Sequence, residues 1–456
     1  MIRKYLPVIF ISFLLVGCSS IVTNTEFYNP ILRNIETGNF DLAANQINDA
    51  ELKGEYTEKD RVLLHLDKGM IFHYQGEYSK SNVEFEKAEN LIEDLYTKSI
   101  SKAATSMLLN DNALDYFGNV YEDLYINIFK AINYLHIGSF DDAYVEVKRV
   151  NDKLNLLDTK YDKYISELND SKDSKIKIEA QELDYYNNVL ANYISYLIFK
   201  TEGEDDNSRI SLYKLNQAWD TYGDVYNYSK PSFLSDSTLL KSKNTHLNIL
   251  AFVGSAPIKE AIGARITTFD NFVMVSDPTN FRVNAIPFPG VKYGWNFKFA
   301  FPSLVQKKSL VKNIEVYIDS SYYCNLELLE NMANVARKTF ESQKSITYFK
   351  SISRAVLKGI GASALGREIK KNQNEAVGNI LTALTNVLVD ATENADLRSW
   401  RTMPSNCYAA EIPLKKGIYN VEIRFLDSNG EILMKQFNTN VKIGKDINLL
   451  ETFYLN

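Results

Sequence analysis

Side chains with the types and spacing that metal or nucleophilic chemistry requires are scarce in this sequence. His65 and His73 lie eight residues apart on one predicted helix, whereas two metal ligands on one helical face are normally about four residues apart. No third ligand accompanies them, and His136 and His246 stand alone. We therefore expect packed or surface histidines and no metal site.

Nucleophile and nucleotide motifs are also missing. Ser-x-x-Lys occurs three times, but without the companion motifs of a serine enzyme. The segment "GIGASALGRE" at 359–368 loosely matches a dinucleotide motif, but it follows a predicted helix instead of a strand. Its small residues favour tight helix packing. The sequence thus predicts no catalytic residue and no cofactor.

Two loops carry side chains that suit a recognition site, "GSAPIK" and "ADLRSW". Their candidate residues are Gly254, Pro257, Lys259, Asp396, Arg398 and Trp400. The alternative is structural. Gly254 and Pro257 would shape the first loop, and Trp400 would anchor the core where a helix gives way to a sheet. Asp396 and Arg398 would then fix the turn before it.

The first residues have the pattern of an export signal. Arg3 and Lys4 precede the apolar run "LPVIFISFLLVG", which is too short to span a membrane comfortably. The run ends in Leu15-Val16-Gly17-Cys18, followed by the polar Ser19. A signal anchor with an incidental cysteine would explain neither the small residue before Cys18 nor the polar turn after it.

The segment around Cys18 resembles the lipobox of bacterial lipoproteins. The resemblance implies a signal peptide over 1–17, lipid on the sulfur and amine of Cys18, and a tether over 18–30. Several acyl chains together hold a protein durably on a bilayer. Ser19 in place of an aspartate implies the outer membrane, facing the periplasm.

Two further cysteines, Cys324 and Cys407, have two possible states. An envelope location is oxidising, so they could form a disulfide. The favoured alternative is two separate buried thiols, because the sequence does not show that they are close.

A repeated pattern predicts helical hairpins over 31–228. Gly38, Gly76 and Gly138 are each followed by an aromatic residue two positions later, a small residue at five, and apolar residues at nine and twelve. The pattern resembles the second half of a tetratricopeptide repeat, in which glycine permits the turn between two helices. A degenerate fourth pair is expected over 181–222, and additional helical segments at about 90–118 and 152–180 interrupt the series.

The first helices of such repeats line a concave groove. If this sequence follows the tetratricopeptide-repeat arrangement, eight residues face the groove: Leu66, Met70, His73, Tyr74, Ile128, Ile132, Leu135 and His136. This apolar groove could receive a partner protein. It could equally be filled by the protein's own C-terminal half.

The remaining chain predicts an α+β fold. Alternating apolar residues indicate a β-rich region at 229–323, a helical segment at 324–400 and an antiparallel β-module at 401–456. Asn429-Gly430 is a strong hairpin signal. The chain has 456 residues, 45% of them hydrophobic, and a formal charge of −6 without basic blocks, which argues against nucleic acid as a partner.

Nearly the whole length resembles an uncharacterised family of bacterial lipoproteins with N-terminal tetratricopeptide-like repeats. "AFVGSAPIKE" and "ATENADLRSWRTMP" carry the resemblance. It implies an envelope location and an assembly or scaffold role. The function predicted from the whole sequence is a lipid-anchored envelope scaffold, not an enzyme, that binds protein partners through the repeat groove and acts in envelope or cell-wall assembly. The alternative is an envelope enzyme or glycan-binding protein. A cleft with convergent carboxylates and aromatic residues between the two halves would favour that alternative.

Overall fold

The structure is a computed structural model of the chain. It describes residues 26–101, 111, 114–169, 184–235, 245–277, 282–287, 291, 293–294, 296–341, 347, 350, 352 and 395–456. Cys18, its signal segment and the glycine-rich segment at 359–368 lie outside the described residues.

Eight helices among the described residues form four consecutive hairpins in the first half of the chain. In order they are α1 (Tyr28–Glu36), α2 (Phe40–Leu52), α3 (Arg61–Tyr74), α4 (Tyr78–Ser101), α5 (Val120–His136), α6 (Phe140–Asn169), α7 (Val189–Glu202) and α8 (Asp205–Thr221). Short 3-10 turns lie at Glu58–Asp60 and Ser232–Ser235.

The same backbone turn joins the two helices of every hairpin. Gly38, Gly76, Gly138 and Gly203 all adopt left-handed φ angles between 72° and 78°. In each case the next amide donates to the carbonyl five residues earlier, as Asn39 does to Asn34 at 2.8 Å and Glu204 does to Phe199 at 2.8 Å. The three glycines identified from the sequence therefore make the expected turns, and Gly203 adds a fourth.

Two expected helical boundaries are wrong. The described part of α4 extends to Ser101, and residues 114–119 are not helical, whereas the sequence suggested a helical segment over about 90–118. The charged segment after 152 is no separate helix, because α6 runs unbroken from Phe140 to Asn169. No glycine or proline interrupts that span.

Twelve described strands form three four-stranded sheets, which confirms the α+β class. Sheet 1 contains β1 (His246–Ser255), β8 (Glu327–Asn331), β9 (Pro404–Pro413) and β12 (Asn448–Tyr454) in the order β12-β1-β9-β8. Sheet 2 contains β6 (Asn313–Ile318), β7 (Ser321–Asn325), β10 (Gly417–Leu426) and β11 (Ile432–Ile443) in the order β11-β10-β6-β7. Sheet 3 contains β2 (Ile258–Phe269), β3 (Phe272–Asp277), β4 (Arg282–Pro287) and β5 (Asn296–Val305) in the order β4-β3-β2-β5.

The predicted division of the C-terminal half is wrong in two respects. The segments 229–323 and 401–456 are not separate modules, because β9 pairs with β1 and β10 pairs with β6. The segment after 324 is not helical at once, because β8 occupies Glu327–Asn331. Helix α9 follows at 332–341, and the described residues 347, 350 and 352 are also helical.

Sheet 1 is the middle of three layers. Leu247, Ile249, Ala251 and Val253 on β1 pack into the core shared with sheet 2. The intervening side chains, including Leu250 and Phe252, pack into the core shared with the helices. Since both faces of β1 are covered, its apolar run is nearly continuous, as expected for a buried strand.

Candidate functional site

The predicted partner groove is filled by the protein's own C-terminal half. Seven of its eight residues are buried and His136 is partly exposed, and His73, Tyr74 and His136 contact Phe453 or Glu451 on β12 of sheet 1; the eight are Leu66, Met70, His73, Tyr74, Ile128, Ile132, Leu135 and His136. The Tyr74 hydroxyl donates to the carbonyl of Thr402 at 2.8 Å. The alternative interpretation therefore applies: this groove is not an open docking surface, because strands complete its apolar face.

Five buried carboxylates join the helical layer to the C-terminal half. Each accepts a hydrogen bond or forms an ion pair across the boundary: Asp67 with Thr402, Glu122 with the Trp400 amide, Glu330 with Tyr125, Glu411 with Lys200, and Glu451 with His136. Since buried polar groups need partners, these contacts fix the orientation of the two layers.

The environments of these carboxylates differ, and their pKa values separate accordingly. Burial raises the pKa of Glu330 to about 7 and that of Asp67 to about 6, although hydroxyl and amide donors oppose the shift. Burial also raises the pKa of Glu451, but His73 and His136 outweigh it and lower that pKa to about 2.

The two cysteines are free thiols, so the disulfide considered from the sequence is not formed. Cys407 on β9 lies in the core that faces the helices, whereas Cys324 on β7 packs against the core between the two sheets. They therefore occupy different layers. Burial raises the pKa of both thiols.

An open cleft lies where α4, the 111–119 segment, β2, α9 and the 396–398 segment meet. Its volume is about 130 Å³. Its aromatic walls are Tyr96, Tyr116, Phe117, Tyr164 and Phe340, and its charged side chains are Lys259, Lys350, Arg398, Asp111, Asp115 and Asp396. The cleft brings both predicted recognition loops together, and we call it the Lys259 cleft.

Local sequence explains how the first loop reaches the cleft. Gly254 adopts a φ of 73°, and a Cβ there would lie 2.8 Å from the Ser405 hydroxyl oxygen. The Ala256 amide donates to the Met403 carbonyl at 2.8 Å. Pro257 is buried, and β2 starts at Ile258. The loop is therefore fixed against β9, and Lys259 is placed at the cleft wall.

The second loop has the structural role considered as its alternative. Trp400 is fully buried, and its indole N–H donates to the Thr402 hydroxyl at 2.9 Å. The five N–H groups of Arg398 are occupied by Asp396, Asp60 and the carbonyls of residues 111 and 114. Arg398 therefore fixes the cleft wall and has no donor left for a ligand.

Lys259 differs from Arg398 in having no polar partner. Its side chain is 7% exposed, and within the described part of the chain no hydrogen bond or ion pair reaches its Nζ atom. The Nζ lies 5.6 Å from the Tyr116 ring centroid and 5.7 Å from that of Phe340. Burial lowers the pKa of Lys259, while Asp396 and Glu122 act in the opposite direction.

A second, smaller pocket lies beside the cleft. Tyr96, Phe117, Gly118 and Asn119 line both pockets. The second has a volume of about 50 Å³ and adds charged side chains that include Lys153 and Lys160. The Tyr96 and Phe117 rings, whose centroids are 6.1 Å apart, therefore belong to the walls of both pockets.

The sequence analysis did not identify the aromatic residues of the 114–119 segment as site residues, because it assigned this stretch to a helix. The available signal was Asn119 followed three residues later by Glu122, a capping box. Asn119 does start α5: its amide donates to the Glu122 carboxylate at 2.8 Å. Residues before a cap lie outside the helix, so Tyr116 and Phe117 are free to line a cleft.

Within the described residues, no group of three or more histidine, cysteine or acidic side chains is arranged to hold a metal ion. None of the described helices combines the length and apolarity needed to cross a membrane. The chain was compared with models of protein families, with curated proteins and with solved structures, and none of the three comparisons finds a match.

Proposed function

We propose that this protein is a lipid-anchored envelope protein that binds a small ligand in the Lys259 cleft. The observation that carries the proposal is Lys259 itself, a buried cation without a polar partner among the described residues, beside a cavity. Clefts with aromatic walls and a few charged groups are typical of ligand sites. Aromatic and acidic side chains between the two halves favour ligand binding over a purely apolar docking groove.

The cleft proposal is tested by occlusion. Leu114 lies half-buried on the cleft wall, so Leu114→Trp should fill the cavity while leaving the helix–sheet core intact. Small molecules would be extracted from wild type and variant, both purified from the native envelope, and identified by mass spectrometry. We expect a compound retained by the wild type and lost from the variant. Identical extracts would contradict the proposal.

The anchor is tested separately. Cys18 is proposed to carry lipid because of its lipobox-like context. Cys18→Ala should release the protein into the soluble fraction, whereas Ser20→Ala should leave it membrane-bound. An unmodified chain that still begins at Met1 in the mass spectrum of the natural protein would refute lipidation.

A scaffold that binds envelope proteins is the second candidate, and one observation favours it. Val83, Val145 and Ile210 lie seven residues after the turn glycines of three successive hairpins, and each is about half exposed. An aliphatic side chain repeated at equivalent positions suits a partner's apolar surface. The partner would be a membrane-anchored envelope protein, brought close by the shared leaflet.

The first hairpin supplies a matched control, because Asn45 occupies the equivalent position there. Val83→Asp and Val145→Asp should abolish specific crosslinks in cells, and Asn45→Asp should leave them unchanged. Recovery of the same partners with all variants would eliminate this surface.

A further inference from the structure

The charged groups of the Lys259 cleft are paired, with one exception among those the structure describes. Arg398 pairs with Asp396 at 2.7 Å and with Asp60 at 3.3 Å. Lys350 pairs with Asp111 at 2.8 Å, and Asp115 pairs with Arg61 at 2.7 Å. Lys259 alone has no described counter-ion.

Elsewhere, buried lysines of this protein are neutralised. Lys130 contacts three carboxylates, with Glu89 at 2.9 Å and Glu146 at 3.1 Å, as well as Glu86. Lys153 contacts Asp123 at 2.5 Å and Glu89 at 2.8 Å. Burying an unpaired charge is unfavourable, so the missing negative charge at Lys259 is the feature to explain.

Resting on the proposed ligand site, we infer that the ligand of the Lys259 cleft carries one carboxylate, which forms an ion pair with the Lys259 ammonium. One unpaired cation matches one negative charge. Asp111 and Asp396 line the same cleft, and they would repel a second negative charge on the ligand. The ligand is therefore a monoanion and not a phosphate dianion.

The rest of the ligand must be apolar or flat. The walls around Lys259 are the rings of Tyr116 and Phe340, and the rings of Tyr96 and Phe117 also line the cleft. A ring attached to the carboxylate would stack between these side chains. Small aromatic carboxylates are therefore suitable probes of the site.

The test compares three probes on the full-length protein in detergent: benzoate, benzyl alcohol and phenyl phosphate at pH 8. Dissociation constants would be measured by calorimetry. We expect benzoate to bind about tenfold more tightly than benzyl alcohol, because a charge-assisted contact contributes that much. We expect phenyl phosphate, a dianion at this pH, to bind more weakly than benzoate.

Variants at Lys259 test whether this residue causes the preference for benzoate over benzyl alcohol. Lys259→Met should remove the preference for benzoate and leave benzyl alcohol affinity unchanged, whereas Lys259→Arg should preserve the preference. Lys442→Met on β11 is the surface control. Unchanged benzoate affinity in Lys259→Met would overturn the inference.

A measurement on the wild type avoids dependence on variant folding. Benzoate should protect Lys259 from acylation by acetic anhydride, as read by peptide mass spectrometry, while benzyl alcohol at equal occupancy should protect it less. Equal binding and equal protection by both probes would refute the carboxylate but retain the ligand site. Failure of benzoate, benzyl alcohol and phenyl phosphate alike to bind would refute both the carboxylate and the proposed cleft function.

Discussion

Lys130 in the helical hairpins and Lys259 in the cleft are both buried lysines, but their surroundings are opposite. Lys130 lies among Glu86, Glu89 and Glu146, and these carboxylates outweigh burial and raise its pKa. Lys259 has aromatic neighbours and no described carboxylate partner, and burial lowers its pKa.

The difference separates a structural charge from an available one. The Lys130 cluster is complete, so it holds α4, α5 and α6 together and has no bonding capacity to offer. The Lys259 cleft also contains a buried lysine, but no ion-pair partner of it is among the described residues. Burial and charge alone therefore do not identify a binding site, whereas burial combined with incomplete pairing beside a cavity does.

The largest expected effect on stability comes from a substitution in the Lys130 cluster. Lys130→Met removes the buried cation that Glu86, Glu89 and Glu146 share and leaves only Arg149 and Lys153 near them, so it should lower the free energy of unfolding by about 3–5 kcal/mol. Urea denaturation followed by circular dichroism measures this loss. Lys148→Met, on the neighbouring helix α6, is the control and should change stability little. A loss below about 1 kcal/mol in Lys130→Met would show that the cluster is not structural.

The comparison extends to carboxylates. Burial raises the pKa of Glu89, but Lys153 and Lys130 outweigh it and lower that pKa to about 2, whereas Glu330 has only neutral donors and a pKa of about 7. Because the folded pKa of Glu330 exceeds its ordinary value of 4.5, its contribution to stability is greatest below pH 4.5 and declines as the pH rises through 7.

Glu330→Gln removes this titration. Between pH 5 and 8.5, the stability of wild type relative to the variant should fall by about 2–3 kcal/mol, measured by denaturation at each pH. The exposed Glu431→Gln variant should show a constant difference over that range. A pH-independent difference for Glu330→Gln would mean that Glu330 stays ionised when buried.

Packing in the hairpins gives a smaller effect. A Cβ at Gly69 would lie 2.5 Å from the Phe85 ring, so Gly69→Ala should destabilise the fold by about 1–3 kcal/mol. Gly223→Ala is the matched control, because no atom lies within 4 Å of its added Cβ. Equal thermal midpoints for the two variants would show that α3 and α4 can separate without loss.

The smallest effect is expected at the cleft. Lys259→Met removes an unpaired buried cation, so stability should change by less than about 1 kcal/mol, in the direction of stabilisation. The same urea titration applies. A destabilisation as large as that of Lys130→Met would show that Lys259 has a structural partner, and the contrast between the two lysines would disappear.

Local patterns predicted the local structure well. Gly38, Gly76 and Gly138 identified three hairpin turns, because a left-handed residue is a requirement of the turn itself. The fourth pair expected over 181–222 is also present, but Gly203 was not named as its turn residue, because Asp205 stands where the other repeats have an aromatic residue. The Asn429-Gly430 turn between β10 and β11 was likewise recognisable from two residues.

The site depended on contacts that no local pattern encodes. Lys259, Asp396 and Arg398 were named as candidates in separate loops, but their meeting requires β2, the 396–398 segment and the 111–119 segment to converge. From the sequence, an open groove and a groove filled by the C-terminal half were equally supported. The His136–Glu451 contact that helps to fill the groove joins residues 315 positions apart, and no local pattern predicts it. Pairing across such distances decides which charges are satisfied, and only the folded chain shows it.

The parallel pairing of β1 with β12 has a kinetic consequence. Contacts between these strands join residues about 200 positions apart, as from Asn248 to Asn448, whereas each helical hairpin closes over a short turn. Chains rich in distant contacts fold slowly, because a long loop must close before the contact is gained. We therefore expect the hairpins to fold first and to expose their apolar face until sheet 1 forms and covers it. During that interval the chain should be most prone to aggregate.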